Sequence, residues 1–189
     1  SKIKSMTLDT FNILIAIGTI GIAFITIVLI IFRLVIGSQS HILNTVRKDA
    51  LVFGFIIGLS AILGSLTYSE IYHLPPCLFC WWQRIFLYPQ VVLFAVALYR
   101  HGRTSSAGYD IFYYSTPMAV IGSVVSLYHV FLQQGVIAST GACLQNGVSC
   151  TTIDIQVFGF LTIPMMALIL GIALSLLGLT ILSHHKKTA

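Results

Sequence analysis

Pro75-Pro76-Cys77-Leu78-Phe79-Cys80-Trp81-Trp82-Gln83-Arg84 interrupts a chain that is otherwise almost continuously apolar. Two prolines cannot carry a helix forward, but they tolerate one that begins just after them. Trp81 and Trp82 suit the boundary between membrane and water. The stretch therefore reads as one mouth of a spanning helix, with two thiols at its N-terminus. A thiolate there is stabilised by free backbone N–H groups and the positive end of the helix dipole. Arg84 lies four positions past Cys80, about one turn deeper on the same face.

The rest of the chain supports a membrane reading. Of 189 residues, 57% are hydrophobic and only 8% charged, with mean hydropathy +0.97. A soluble domain carries about a quarter charged residues, so this composition excludes one. Apolar runs of about 20 residues mark spanning helices. They fall at roughly 11–36, 50–68, 80–99, 109–132 and 158–182. The third is the least apolar, because it holds Gln83, Arg84 and Gln90. The first run is longer than the apolar region of a signal peptide and reads as a retained anchor. The formal charge of +5 implies no nucleic-acid partner, because the basic residues sit at the ends of apolar runs.

Those basic residues orient the chain by the positive-inside rule. Arg33, Arg47 and Lys48, then Arg100 and Arg103, then Lys186 and Lys187, all fall on one side of a five-span arrangement. Lys2 and Lys4 fall on the other side and count weakly against it. The cysteine motif and the polar stretch 133–157, which carries Cys143 and Cys150, then face outward, where disulfides persist. Gly135, Gly141 and Gly147 with Ser139 and Ser149 frame the second pair in turn-forming sequence. Ile153, Ile155 and Val157 alternate with Asp154 and Gln156, either as a stretch resting on the membrane or as an ordered strand.

Each candidate residue also has a plainer reading. The Cys77–Cys80 pair could be a structural disulfide, although a bond across two residues at a helix start holds little together. A zinc site would need all four cysteines in one tetrahedron, and it gives no reason for an arginine below the sulfurs. Arg84 could snorkel to the interface, and His129 could be an interfacial hydrogen-bonder. His73, beside the first pair, is a further candidate for tuning the thiols. Met165 and Met166 read as packing, and Gly171 and Gly178 as close helix contacts.

Pro76-Cys77-x-x-Cys80-Trp81-x-Gln83-Arg84, followed by Tyr88-Pro89, resembles the DsbB family of disulfide-forming membrane oxidoreductases, most closely its Gram-positive BdbC branch. Tyr128-His129, the pair Cys143 and Cys150, and Phe158-Gly159-Phe160-Leu161-Thr162-Ile163-Pro164 add to the resemblance, which covers roughly 50–182. It implies an all-α integral membrane protein: a four-helix transmembrane bundle with one additional N-terminal transmembrane helix. The chain then divides into 1–49 (extra helix and cytoplasmic link), 50–183 (quinone-binding domain with catalytic outer loop 133–157) and a cytoplasmic tail, 184–189. It implies a quinone cofactor, ubiquinone or menaquinone, and a DsbA-like thioredoxin-fold partner in a bacterial plasma membrane. Cys77 and Cys80 would be the quinone-linked pair, with Cys80 nearer the ring. Arg84 and His129 would line one quinone pocket. Cys143 would form the mixed disulfide with the partner, and Cys150 would resolve it. Two other readings compete. One is a vitamin K epoxide reductase-like enzyme, in which the loop pair precedes the redox motif instead of following it. The other is a non-catalytic scaffold with structural disulfides. The extra helix carries no role on sequence grounds.

Overall fold

The computed structural model describes residues 2–35, 41–101, 106–138, 143 and 148–188. Six α-helices account for most of them: α1 (Lys2–Val35), α2 (His41–Lys48), α3 (Ala50–Leu66), α4 (Leu78–His101), α5 (Phe112–Gln133) and α6 (Ile163–Thr188). A π-helical turn, Thr67–Ile71, extends α3, and a 3-10 segment, Ser106–Ile111, precedes α5. Four segments are long and apolar enough to cross a membrane: Thr7–Val35, Ala50–Ile71, Gly108–Gln133 and Ile163–Ser183. Helix α4 is the more polar fifth, and its 24 residues give about 36 Å at 1.5 Å per residue, enough to span. The protein is an all-helical, multi-pass membrane protein.

Helices α3, α4, α5 and α6 form the bundle. In lipid no hydrophobic drive pulls helices together, so close backbone approach and polar glue matter more. Small residues supply the approach. A Cβ at Gly54 would meet the Phe94 ring, one at Gly122 the Phe86 side chain, and one at Gly178 would collide with Thr116. Gly171 packs the same way against Ser123, so both glycines of α6 are helix contacts. Gln90 supplies the glue: it is fully buried, donates to Phe86 O at 3.0 Å, and accepts from Ser115 Oγ at 2.8 Å. Phe94, Phe112, Leu51 and Leu174 fill the interior between these contacts.

Helix α1 lies outside the bundle and is fixed to it at both ends. At one end Tyr68 Oη donates to Asn12 Oδ1 at 3.0 Å, and Phe11 packs edge-on to Tyr68. At the other, Arg33 donates to Thr180 Oγ1 at 2.9 Å and Ser183 Oγ at 3.2 Å. Much of its remaining surface is apolar and exposed, including Leu14, Phe24 and Ile31.

One predicted boundary is displaced. Residues 158–162 do not open the last helix. Gln156–Val157 pairs antiparallel with Leu161–Thr162. Phe158 and Gly159 both have positive φ, 54° and 78°, and Phe160 N–H donates to Val157 O at 3.3 Å. Residues 158–160 thus form a three-residue loop, and its Val157–Phe160 turn has the two positive φ angles of type I′. The helix starts only at Ile163, with Pro164 in its first turn, where a missing N–H costs nothing. Of the alternating stretch before it, Ile155 and Val157 are buried and Ile153 is exposed, so this segment is ordered against Tyr68, Ala16 and Met166.

Candidate active site

Helix α4 begins at Leu78, immediately after the prolines. Cys77 is its cap: Trp81 N–H donates to Cys77 O at 3.2 Å, and Cys80 N–H donates to Cys77 Sγ at 3.3 Å. The sulfur thus takes the position of a capping side-chain oxygen. One helical turn brings the two thiols together, with sulfurs 2.9 Å apart. The hydrogen bond with Cys80, then burial, push the Cys77 thiol up to about 12. Cys77 therefore holds its proton at neutral pH and donates it toward Cys80.

His129, from α5, reaches the pair from the bundle side and is 1% exposed. Its Nε2 lies 3.1 Å from Cys150 O and 3.7 Å from Cys77 Sγ. A carbonyl oxygen only accepts, so Nε2 carries the hydrogen. Nδ1 then accepts from the Gln83 amide at 3.5 Å. Gln83, one turn after Phe79 on the buried face of α4, is itself 4% exposed. It fixes the imidazole tautomer, a role its place in the motif did not disclose. The signal was available: an amide inside an apolar helix needs a partner.

The loop pair is docked against this centre. Cys143 and Cys150 form one buried cluster with Cys77 and Leu132. Cys150 Sγ points to Cys143 O at 3.5 Å. Burial, then the hydrogen bond with Cys150, push the Cys143 thiol up to about 12. Cys143 is 4% exposed and Cys150 0%, so neither sulfur is open to an external protein in this arrangement. All four cysteines are thiols. Of the expected loop frame, Gly135 adopts φ +72° directly after α5, whereas Ser139, Gly141 and Gly147 lie outside the described residues. His73 is exposed and holds a left-handed turn (φ 57°).

On its other side Cys80 borders an apolar cleft of about 200 Å³. Arg84 and Tyr88 from α4, Ser65 from α3 and Met166 from α6 line it too. The guanidinium is aimed by Ser65, accepting from Nε at Oγ (2.9 Å) and from Nη2 at the carbonyl (3.2 Å). It also lies 5.2 Å from the Trp81 ring centre and 6.0 Å from that of Tyr88. No carboxylate lines the cleft, and Nη1 has no hydrogen-bond partner among the described residues. His129 does not line this cleft, contrary to the expectation of one pocket shared with Arg84. The Phe79 ring packs tilted against both His129 and Tyr128, and His129 borders a small space behind the sulfurs with Cys77, Cys80 and Asp154. Cys80 borders both spaces, and Gln83, which also lines the Arg84 cleft, reaches His129 through its amide. The ligand atoms of Cys77, Cys80 and His129 all lie within 4.8 Å of one another. With Nε2 carrying the hydrogen, the imidazole meets the Cys77 sulfur as a hydrogen-bond donor.

A buried dithiol at a helix mouth, a second dithiol docked on it and an adjoining apolar cleft define a membrane thiol–disulfide oxidoreductase. The family model for disulfide bond formation protein DsbB matches residues 47–181, and the chain belongs to that family. Disulfide bond formation protein C of Bacillus subtilis is 40% identical over 127 residues, covering 65% of this chain and 86% of that protein. A "probable disulfide formation protein C" of Bacillus cereus is 40% identical over 123 residues (65% and 84%). A "probable disulfide formation protein" of Coxiella burnetii is 31% identical over 136 residues (71% and 88%). No solved structure matches the chain significantly.

Proposed function

We propose that the protein reoxidises a DsbA-like thioredoxin-fold partner outside the plasma membrane and delivers the electrons to a membrane quinone, ubiquinone or menaquinone. The observation that carries this reading is the position of Cys80. It touches the loop dithiol cluster on one side and the Arg84 cleft on the other.

In this reading a partner thiolate attacks Cys143, and Cys150 leaves as the thiolate, giving a mixed disulfide. Attack by the partner's second thiol releases oxidised partner and leaves both loop cysteines reduced. Their burial in the docked arrangement requires the loop to move out for this step and back for the next. The docked loop dithiol then reduces the Cys77–Cys80 disulfide by a second exchange, which regenerates the loop disulfide. His129 Nε2–H, 3.7 Å from Cys77 Sγ, is positioned to stabilise a thiolate there during the exchange. Reoxidation of Cys77 and Cys80 removes two electrons and two protons.

The cleft fits a quinone: it is apolar and of ring size, and its cation has an unused donor. When bound, the quinone supplies the two-electron acceptor. Arg84 would hold a ring oxygen, Ser65 keeps Arg84 aimed, and Cys80 faces the ring. Arg47, Lys48 and Arg100 at the opposite end support a cytoplasmic placement there, and both cysteine pairs outside. Residues 50–183 would be the catalytic domain, with 1–49 an added segment and 184–189 a cytoplasmic tail.

The test is oxidation of a reduced thioredoxin-fold protein by the purified full-length chain with added quinone. Quinol should form in proportion to partner disulfide, and Cys80→Ser should abolish it. A scaffold with structural cysteines predicts instead that Cys77→Ser lowers stability and leaves partner oxidation intact.

A further inference from the structure

Helix α1 lies outside the segment that matches the family, yet it forms a wall of the Arg84 cleft. Ile15, Gly18 and Thr19 line that cleft from the side opposite Cys80. A Cβ at Gly18 would meet nothing within 4 Å, so α1 leaves space at this position although Ala16 and Thr19 beside it are buried. A second apolar cavity of about 220 Å³ follows along the same helix, between α1, α3 and α6. Thr26 and Leu29 of α1 line it, with Ile57 of α3 and Ala173 of α6. Ile22 lines both cavities. Arg33 closes the far end through Thr180 and Ser183, and the Tyr68–Asn12 bond closes the near end. Between these fixed points, Asn12 to Arg33 covers about 32 Å at 1.5 Å per residue, roughly the hydrocarbon thickness of a bilayer.

We propose that α1 converts the quinone site from a cleft open to lipid into an intramolecular furrow that holds the isoprenoid tail. This rests on the quinone reading above. Two features commit the furrow to that occupant. It abuts the head-group cleft at Ile22, which lines both, and its walls beyond Ile22 are almost wholly apolar, as a hydrocarbon chain requires. Thr26 adds no free donor, because its hydroxyl is spent on Ile22 O at 2.7 Å. The helix is thus a specificity element: it selects long-tailed quinones over tail-less ones and slows their escape.

The experiment uses the full-length protein in mild detergent with two acceptors, a long-tailed menaquinone and a tail-less methylnaphthoquinone. Thr26→Trp and Leu29→Trp each fill the lower cavity from α1 without touching the Arg84 cleft. Wild type should show at least a tenfold lower KM for the long-tailed acceptor. Either variant should reduce that preference to below threefold while tail-less turnover holds. A second readout is quinone retained through purification, extracted and weighed by mass spectrometry. It should be near stoichiometric in wild type and fall at least fivefold in both variants. Wild type without a tail preference, or variants that keep both preference and retention, would overturn the furrow and leave the quinone reading standing. Wild type that reduces neither quinone overturns the quinone reading itself. A drop in tail-less turnover equal to the drop with menaquinone, with retention unchanged, also counts against the furrow.

Discussion

Replacing Arg84 by methionine isolates the contribution of the cation, because methionine has nearly the same reach and suits an apolar wall. The change removes the Nε and Nη2 bonds to Ser65, at 2.9 and 3.2 Å, and the free Nη1 donor. It leaves no buried charge unpaired, since no carboxylate lines the cleft among the described residues. Fold stability should therefore hold or rise slightly, as when a buried ionic group gives way to a packed apolar one. What is lost is one charge-assisted hydrogen bond to a quinone oxygen, about 1.5–3 kcal/mol. At 1.4 kcal/mol per tenfold, quinone KM should rise about 10- to 150-fold. Arg84→Lys keeps the charge but cannot make both Ser65 contacts, so it should fall between the two. Ser65→Ala, which removes one neutral acceptor worth about 1 kcal/mol, should raise KM about fivefold. Quinol formation is followed against quinone concentration at saturating partner. Disulfide exchange between partner and loop, followed in a single turnover without quinone, should be unchanged in all three. A wild-type quinone KM in Arg84→Met would refute the assignment, and so would an equal loss in the exchange step.

Gln83→Leu should slow transfer from the loop pair to Cys77–Cys80 about fivefold, because the imidazole loses an anchoring bond worth about 1 kcal/mol. The same change in a His129→Gln background should cost nothing more, and an additive loss would separate the two residues. With Cys77 at about 12 against an ordinary 9.0, reduced Cys77 should resist alkylation at pH 8. A folded-state value raised above the unfolded one is stabilising below about pH 9 and lost toward pH 12. The melting temperature of the reduced protein should fall across that window, and a flat profile would contradict the buried thiol. Gly178→Leu should destabilise the α5–α6 contact by about 1–3 kcal/mol, read as a lower thermal midpoint in detergent, because its side chain would overlap Thr116.

The spans were legible because apolar run length is a local property, and Pro75-Pro76 placed the start of α4 to within two residues of Leu78. The pairing of Cys80 with Arg84 was legible as helical spacing. What escaped depends on which way a side chain turns in the bundle. His129 comes from α5 and Arg84 is held by Ser65 of α3, and these helices pack on different sides of α4 and keep the two apart. The start of α6 was misplaced because Phe158 is not a residue that announces a positive φ; only Gly159 beside it hinted at the turn. The proposed role of α1 was invisible because a cavity is a property of what fails to touch, and no residue of the helix marks it.

The single-residue thickness of the partition at Cys80 has a chemical consequence. Quinones are electrophiles, and free thiols add to their rings. On the proposed reading, a client protein that met the ring directly would risk arylation and be lost to folding. On the same reading, electron pairs would hop through a sulfur wall while the two reactants stay in separate compartments, so the geometry would act as an insulator for matter and a conductor for charge.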